Sequence, residues 1–182
     1  MDSWIILVLL ALPLGWAVFA FNGLVRHRNL MRNAWADIDV QLSRRHDLVP
    51  QLVSAVKAYA AHEKAVLDSV TELRAQALQQ QRPPRLFEVE TALENALGRI
   101  FALQEAYPDL KASENFLKLQ GQLVDIEDHL QYARRFYNGA VRDHNDAVLM
   151  FPTSLVARVF GFRAGEFYQA EDGARAAPRM ES

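Results

Sequence analysis

Residues 31–73 decide the fold class of this chain and read MRNAWADIDVQLSRRHDLVPQLVSAVKAYAAHEKAVLDSVTEL. Their apolar residues recur every three or four positions and, at about 100° per residue, fall on one stripe of a helix that buries one face. The stripe consists of Met31, Ala34, Trp35, Ile38, Leu42, Val49, Leu52, Val56, Tyr59, Leu67, Val70 and Leu73. The alternation that is typical of a half-buried strand is missing there and in the rest of the chain. We therefore expect an all-α protein.

Three further helical patterns follow the first stretch. The polar segment QQQRPPR at 79–85 ends the first pattern, because adjacent prolines stop a helix. The later patterns cover 86–107, about 113–150 and 155–160. Residues 169–182 lack an apolar face, so we expect a disordered tail there.

Pro50 leaves the topology of the first stretch open, because a proline inside a helix removes a backbone hydrogen bond and kinks or breaks the helix. The apolar stripe keeps its phase across Pro50, which favours a kinked rod. A turn near Asp47, with Pro50 in the first turn of a new helix, would instead let the long third helix be covered along its whole length. We favour the turn, which predicts an antiparallel up-and-down bundle of the four-helix type.

The N-terminal segment differs from the rest, because residues 3–25 carry no charged side chain and 4–21, WIILVLLALPLGWAVFAF, are almost wholly apolar. At a rise of about 1.5 Å per residue, such a run can cross a bilayer core of about 30 Å. A buried core helix would have a shorter run, and a cleaved signal peptide would have a positively charged start, whereas only Asp2 precedes the run. We expect a retained transmembrane helix within residues 1–25, in contact with membrane lipid.

The flanking charges predict the orientation of this anchor. Arg26, Arg28 and Arg32 follow the run, and no Lys or Arg precedes it. The positive-inside rule then places a short N-terminus outside and the bundle, residues 26–168, in the cytoplasm. The expected location is the cell (inner) membrane, crossed once, and a secreted or periplasmic bundle is the alternative.

Composition and motifs exclude several classes of function. A formal net charge of −2 gives no reason to expect a nucleic-acid partner, and the absence of cysteine excludes disulfides, thiolate metal sites and a cysteine nucleophile. Neither a G-x-S-x-G elbow nor a phosphate-binding glycine loop occurs. No two of the five histidines lie three or four residues apart. We therefore predict no metal, no cofactor and no enzymatic activity.

Six polar residues lie on the apolar stripes, and an unpaired buried charge costs several kcal/mol, so the arginines among them need carboxylate or amide partners. The six residues are Arg45, Glu63, Glu127, Arg134, Asn138 and Asn145. We favour a buried network that fixes the register of the helices. The alternative is a bundle that binds a small ligand or a metal through Arg45, Glu127 and Arg134.

An aromatic cluster near the C-terminus has two interpretations. Its members are Phe151, Phe160, Phe162, Phe167 and Tyr168. The cluster caps one end of the bundle, or the segment 155–167, with Arg158 and Arg163, is an amphipathic element that touches lipid headgroups.

The chain resembles the LemA family of bacterial membrane proteins, and the matching strings follow the family's order along nearly the whole chain. They are FNGLVRHRN at 21–29, RNAWADIDVQLSRRHDLVPQLVSAVKAYAAHE at 32–63, YPDLKASENF at 107–116, RRFYNGAVRDHN at 134–145 and FPTSLVARVFGF at 151–162. The resemblance implies an outside N-terminus, one spanning helix and an antiparallel helical bundle. The resemblance does not by itself imply an activity, although relatives are linked to the building of magnetosome membranes.

These observations predict a single-pass membrane protein whose helical bundle serves as a scaffold or interaction module, with a suggested role in membrane organisation. The protein partner is unknown, and the sequence leaves homo-oligomers open. The competing hypothesis is the ligand-binding or metal-binding bundle.

Overall fold

A computed structural model of the chain describes residues 3–80 and 85–168, with side chains from residue 11 onward. Every regular element in these residues is helical, which confirms the all-α prediction for them. The elements are α1 (Ser3–Lys57), α2 (Lys64–Gln79), α3 (Arg85–Ala102), a 3-10 turn (Leu103–Glu105), α4 (Pro108–Lys111), α5 (Glu114–Leu149) and α6 (Thr153–Val159). The expected tail at 169–182 lies outside the described residues.

The predicted turn near Asp47 is wrong, because α1 continues through Pro50 and ends at Lys57. The chain turns at 58–63 instead, where the N–H groups of Tyr59 and Ala60 both donate to the Val56 carbonyl, at 3.0 and 2.8 Å. Ala60 is fully buried in this turn. The apolar stripe runs across the turn without losing its phase, so periodicity alone could not locate it.

Pro50 is tolerated inside α1 because a side chain replaces the hydrogen bond that the proline removes. Residue 50 has no N–H to donate to the carbonyl four residues earlier, which is that of His46. The Arg74 Nε of α2 donates to this His46 carbonyl at 2.7 Å. The freed acceptor is therefore satisfied by a side-chain donor.

The described residues form two compact units, the first from 3–43 and 127–167 and the second from 44–126 and Tyr168, apart from 81–84. In the second unit the end of α1, α2, α3 and the start of α5 share one core. Its members include Val49, Leu52, Val56, Leu67, Val70, Leu93, Leu97, Ile100, Leu110, Phe116 and Leu123. The contacts in this unit, with Arg74 beside His46 and Phe116 against Phe101, give an up-and-down order of four helical segments. The four segments of this unit differ from the predicted ones, because the first turn lies at 58–63 rather than near Asp47.

In the first unit, α1 and α5 run antiparallel. The Trp35 and Tyr137 rings lie 5.6 Å apart, and toward the start of α1 Leu24 shares a core with Val148 of α5. α6 packs into the same core through Val156 and Ala157. This arrangement places α6 beside residues 17–24 of α1.

The segment after α6 is tied to α5 of the first unit. The His144 Nε2 donates to the Arg163 carbonyl at 3.0 Å, and Tyr137 Oη donates to the Glu166 carbonyl at 2.9 Å. The Asn145 amide makes two hydrogen bonds with the backbone of Gly165, at 3.1 and 2.7 Å. The segment is therefore held in place by side chains that satisfy its backbone groups.

Among the described residues, no helix combines the length and the apolar character that a membrane crossing requires. The expected span at 3–25 begins in α1, but the side chains of residues 3–10 lie outside those described. The single-pass anchor and the domain boundaries at 25 and 168 stay predictions.

Candidate functional site

Glu90 is the most buried ionisable side chain in the second unit, with no exposed surface. It lies on α3 between Leu86 and Leu93, at the spacing of three and four residues that marks the apolar face of this helix. An ionised carboxylate at such a position requires charged or hydrogen-bonding partners, because an isolated buried charge is strongly unfavourable.

Two consecutive residues of α1 supply these partners. The Arg45 guanidinium, only 1% exposed, forms an ion pair with Glu90 Oε2. The His46 Nε2–H donates to Glu90 Oε1 at 2.9 Å. Both carboxylate oxygens of Glu90 are thereby occupied, and we call Arg45, His46 and Glu90 the buried ionic triad.

The surroundings of Glu90 act on its pKa in opposite directions. Burial raises the pKa of this carboxyl, whereas the hydrogen bond from His46 and the positive charge of Arg45 lower it, and the net effect is a lowered pKa. Glu90 is therefore ionised at neutral pH, which is the state that the two donors require.

Arg74 joins the backbone of the triad to α2. Arg74 donates to the carbonyl of His46, the residue that follows Arg45. This carbonyl is the acceptor that Pro50 leaves without a helical partner. Residues 45 and 46 of α1 are thus bound to α3 through side chains and to α2 through one carbonyl. The arrangement fixes the positions of three helices at one level of the second unit.

The chemistry of the triad favours a structural role. Each carboxylate oxygen of Glu90 accepts from a protein donor and the side chain has no exposed surface, so a ligand could reach it only if the core opened. In the part of the chain that the structure describes, no group of three His, Cys, Asp or Glu residues is placed to hold a metal ion. A ligand site through Arg45 would therefore require rearrangement of the core.

The other residues singled out from the sequence lie in both units. In the second unit, Glu63 Oε1 accepts a hydrogen bond from Tyr107 Oη at 2.9 Å, which raises the pKa of Tyr107. In the first unit, Glu127 and Arg134 form a partly buried ion pair at 3.4 Å. The two predicted asparagines, Asn138 and Asn145, lie partly buried on α5.

The arginines that follow the apolar run differ in their environments. Arg26 and Arg32 are exposed, whereas the Arg28 guanidinium lies 5.0 Å from the centre of the Phe162 ring in a cation–π contact. The same Phe162 ring packs against Phe21 with the ring centres 5.7 Å apart.

The five residues of the aromatic cluster have different surroundings. In the first unit Phe160 and Phe162 pack on Phe21, whereas Phe151 and Phe167 are exposed. In the second unit Tyr168 stacks on Phe87 with the ring centres 3.9 Å apart. Part of the cluster therefore packs within the protein and part of it faces outward.

Sequence reasoning missed His46, Arg74 and Glu90. A signal for Glu90 exists, because it is a charged residue at an apolar position of α3, the same criterion that selected Arg45 on α1. His46 and Arg74 had no such signal. Their roles depend on the turn at 58–63, which places α2 against α1.

The lowered pKa of Glu90 predicts a pH dependence of stability. A carboxyl whose pKa is lower in the folded than in the unfolded chain contributes stability above its unfolded pKa, near 4.5, and this contribution is lost as pH falls through the folded pKa. We expect the free energy of unfolding of the wild-type chain to exceed that of Glu90→Gln at pH 5. The difference should shrink steadily below about pH 4.5.

Urea unfolding of both chains in the same detergent between pH 5 and pH 3 measures this difference. A difference that stays constant, or grows, as the pH falls would contradict the assignment.

Comparisons with known proteins add a family relationship. The sequence profile described as "LemA family" matches residues 34–181. Magnetosome protein MamQ 2 of Paramagnetospirillum magneticum is 24% identical over an alignment of 160 residues, which covers 74% of this chain and 59% of that protein. Magnetosome protein MamQ of Magnetospirillum gryphiswaldense is 21% identical over 73% of this chain and 58% of its own length. Protein LemA of Metamycoplasma hominis is 24% identical over 83% of this chain and 69% of its own length.

Proposed function

This chain belongs to the LemA family, and from that premise we propose that it is a single-pass membrane protein whose helical bundle acts, without catalysis, as a scaffold or interaction module. The anchor is the apolar run at the start of α1, with the N-terminus outside and the bundle at the cytoplasmic face. A partner protein, not yet identified, would bind the bundle.

The exposure of apolar side chains along α1 is the observation that carries this proposal. Leu12, Leu14, Val18 and Phe19 are exposed, and Phe19 reaches 77%. Each large apolar side chain left in water loses about 1.5–3 kcal/mol of favourable burial energy. A set of such side chains close together therefore favours contact with lipid or with another protein. Residues 3–10, whose sequence is SWIILVLL, extend the same apolar character toward the N-terminus.

The apolar run and the bundle are joined without a loop. The helix that begins in the apolar run continues to Lys57 and carries Arg45 and His46 of the buried ionic triad. A chain in which the anchor and the bundle share one helix suits a protein whose interaction module stays close to a membrane.

The names of the relatives suggest a setting for this role. The MamQ proteins are named as magnetosome proteins, and this chain spans about 59% of the length of MamQ 2. A role in organising a membrane compartment is the part of our proposal that rests on these names. The activity and the partners of the longer relatives are not assumed for this chain.

Fractionation of cells that express the full chain tests the anchor. We expect the wild-type chain to stay in the membrane pellet after alkaline carbonate extraction. Leu12→Arg combined with Leu14→Arg should release a large fraction, because an arginine costs about 2.5–3.5 kcal/mol at the centre of a spanning helix.

Leu78→Arg is the matched control, because Leu78 is an exposed apolar residue of α2 in the second unit, and this variant should pellet like the wild type. Release of the wild-type chain by carbonate would contradict the proposal.

A further inference from the structure

A second apolar surface lies in the first unit, at the corner where α5 ends and α6 begins. Six large side chains there are exposed, among them Phe151 at 80% and Val159 at 79%. We call this set the corner patch: Leu149, Met150, Phe151, Leu155, Val159 and Phe160. Apolar residues clustered in this way mark a contact surface, whereas scattered exposed ones do not.

The corner patch is next to the apolar run of α1. Phe160 of the patch packs on Phe21 with the ring centres 4.8 Å apart, and α6 shares a core with Ala17, Ala20 and Leu24 of α1. A groove lies where α1 and α6 meet α5, and Phe19, Ala147 and Thr153 are among its lining residues. The corner patch therefore adjoins α1 at residues 17–24.

The charges near the corner patch are mainly basic, although the exposed Asp146 lies one turn before Met150 on α5. Residues 150–163 contain Arg158 and Arg163, both exposed, and no Asp or Glu. Residues 21–36 of α1 contain Arg26, Arg28 and Arg32 and again no acidic residue. A basic rim around an apolar surface complements the negative headgroups and the acyl boundary of a bilayer.

We propose that the corner patch inserts into the headgroup region of the same anionic bilayer that α1 crosses, and so forms a second lipid contact. This inference rests on the proposed anchor. If about 20 residues from position 3 cross the hydrocarbon core, then α6, beside residues 17–24, lies at the level of the last turns of the span. An interfacial element is buried about 5–10 Å into this boundary, which matches that level.

The two contacts together fix the first unit more firmly than one. A single helix allows this unit to rotate about the axis of α1, whereas the corner patch adds a point of contact away from that axis. The orientation of the first unit toward the lipid surface is then determined by its own structure.

Site-specific labelling of the full chain in vesicles tests this proposal, because the sequence has no cysteine. Val159→Cys and Phe151→Cys would carry an environment-sensitive fluorophore in vesicles of phosphatidylcholine with phosphatidylglycerol. Tyr132→Cys is the matched control, since Tyr132 is 73% exposed on α5 of the same unit and lies about 25 Å along the helix from Leu149. Leu14→Cys reports the anchor.

We expect nitroxide lipids with the quencher near the headgroup to quench the labels at 151 and 159 several-fold more than the label at 132. Labels at 151 and 159 that are quenched no more than the label at 132 would overturn the inference. A blue-shifted emission without lipid quenching would also overturn it, because a second copy or another protein would then cover the patch.

The label at position 14 separates the two proposals. Quenching there by mid-chain nitroxide, without quenching at 151 and 159, would support the anchor and contradict the second lipid contact. Absence of quenching at position 14 as well contradicts the proposed anchor itself.

Discussion

Replacing Glu90 with alanine is expected to lower the free energy of unfolding by about 3–5 kcal/mol, because the change leaves the buried Arg45 charge without its carboxylate partner. The His46 Nε2–H loses its acceptor in the same change. Urea unfolding of the full chain in detergent, followed by far-UV circular dichroism, measures this loss. Glu88→Ala is the matched control, because Glu88 is an exposed acid two residues away on α3, and it should be nearly neutral.

A second variant distinguishes a lost ion pair from a lost side-chain volume. Arg45→Met combined with Glu90→Gln removes both charges and keeps an amide oxygen that can accept from His46. Replacing a buried ion pair by neutral side chains of similar volume is often neutral or stabilising, so most of the stability should return. If the double variant is as unstable as Glu90→Ala, charge pairing is not the source of the effect.

Replacing Arg74 with methionine is expected to lower the free energy of unfolding by about 1.5–3 kcal/mol, because the His46 carbonyl loses a charged donor. The effect should depend on Pro50. In a Pro50→Ala chain, residue 50 has an N–H that can donate to the His46 carbonyl, as in any helix interior. Arg74→Met should then cost less than half as much.

Four chains complete this double-mutant cycle: the wild type, each single variant and the combination. Gln76→Met, at an exposed position of α2, controls for the introduction of methionine. Equal costs of Arg74→Met with and without Pro50 would show that the arginine does not replace the missing backbone bond.

The helical class was predictable, because the buried face of a helix appears in the sequence as apolar residues spaced three and four positions apart. The position of the first turn was not. Val56, Ala60 and Leu67 are all buried, so the turn at 58–63 maintains the apolar pattern that a helix would show. The effect of Pro50 on the helix was not predictable either. It depends on the hydrogen bond from Arg74 to the His46 carbonyl, and these two residues lie 28 positions apart in sequence.

The buried polar positions were predictable in kind but not in their pairing. Arg45 was selected because it shares the apolar stripe of α1, and the structure buries it. Its partner Glu90 satisfies the same criterion on α3. The pairing of the two residues depends on the register of α1 against α3, which sequence periodicity does not reveal. His46 is the clearest case, since a histidine beside a stripe gives no sign of the carboxylate it will meet.

We propose that α1 holds the bundle at the inner face of a membrane. The most direct test of this proposal is a pair of reporters fused after Ser182 in a bacterial host. One is a fluorescent protein that matures in the cytoplasm, and the other is a phosphatase that is active only outside it. We predict bright fluorescence in the membrane fraction and no phosphatase activity. Phosphatase activity, or fluorescence that stays in the supernatant after the membranes are pelleted, would contradict the account.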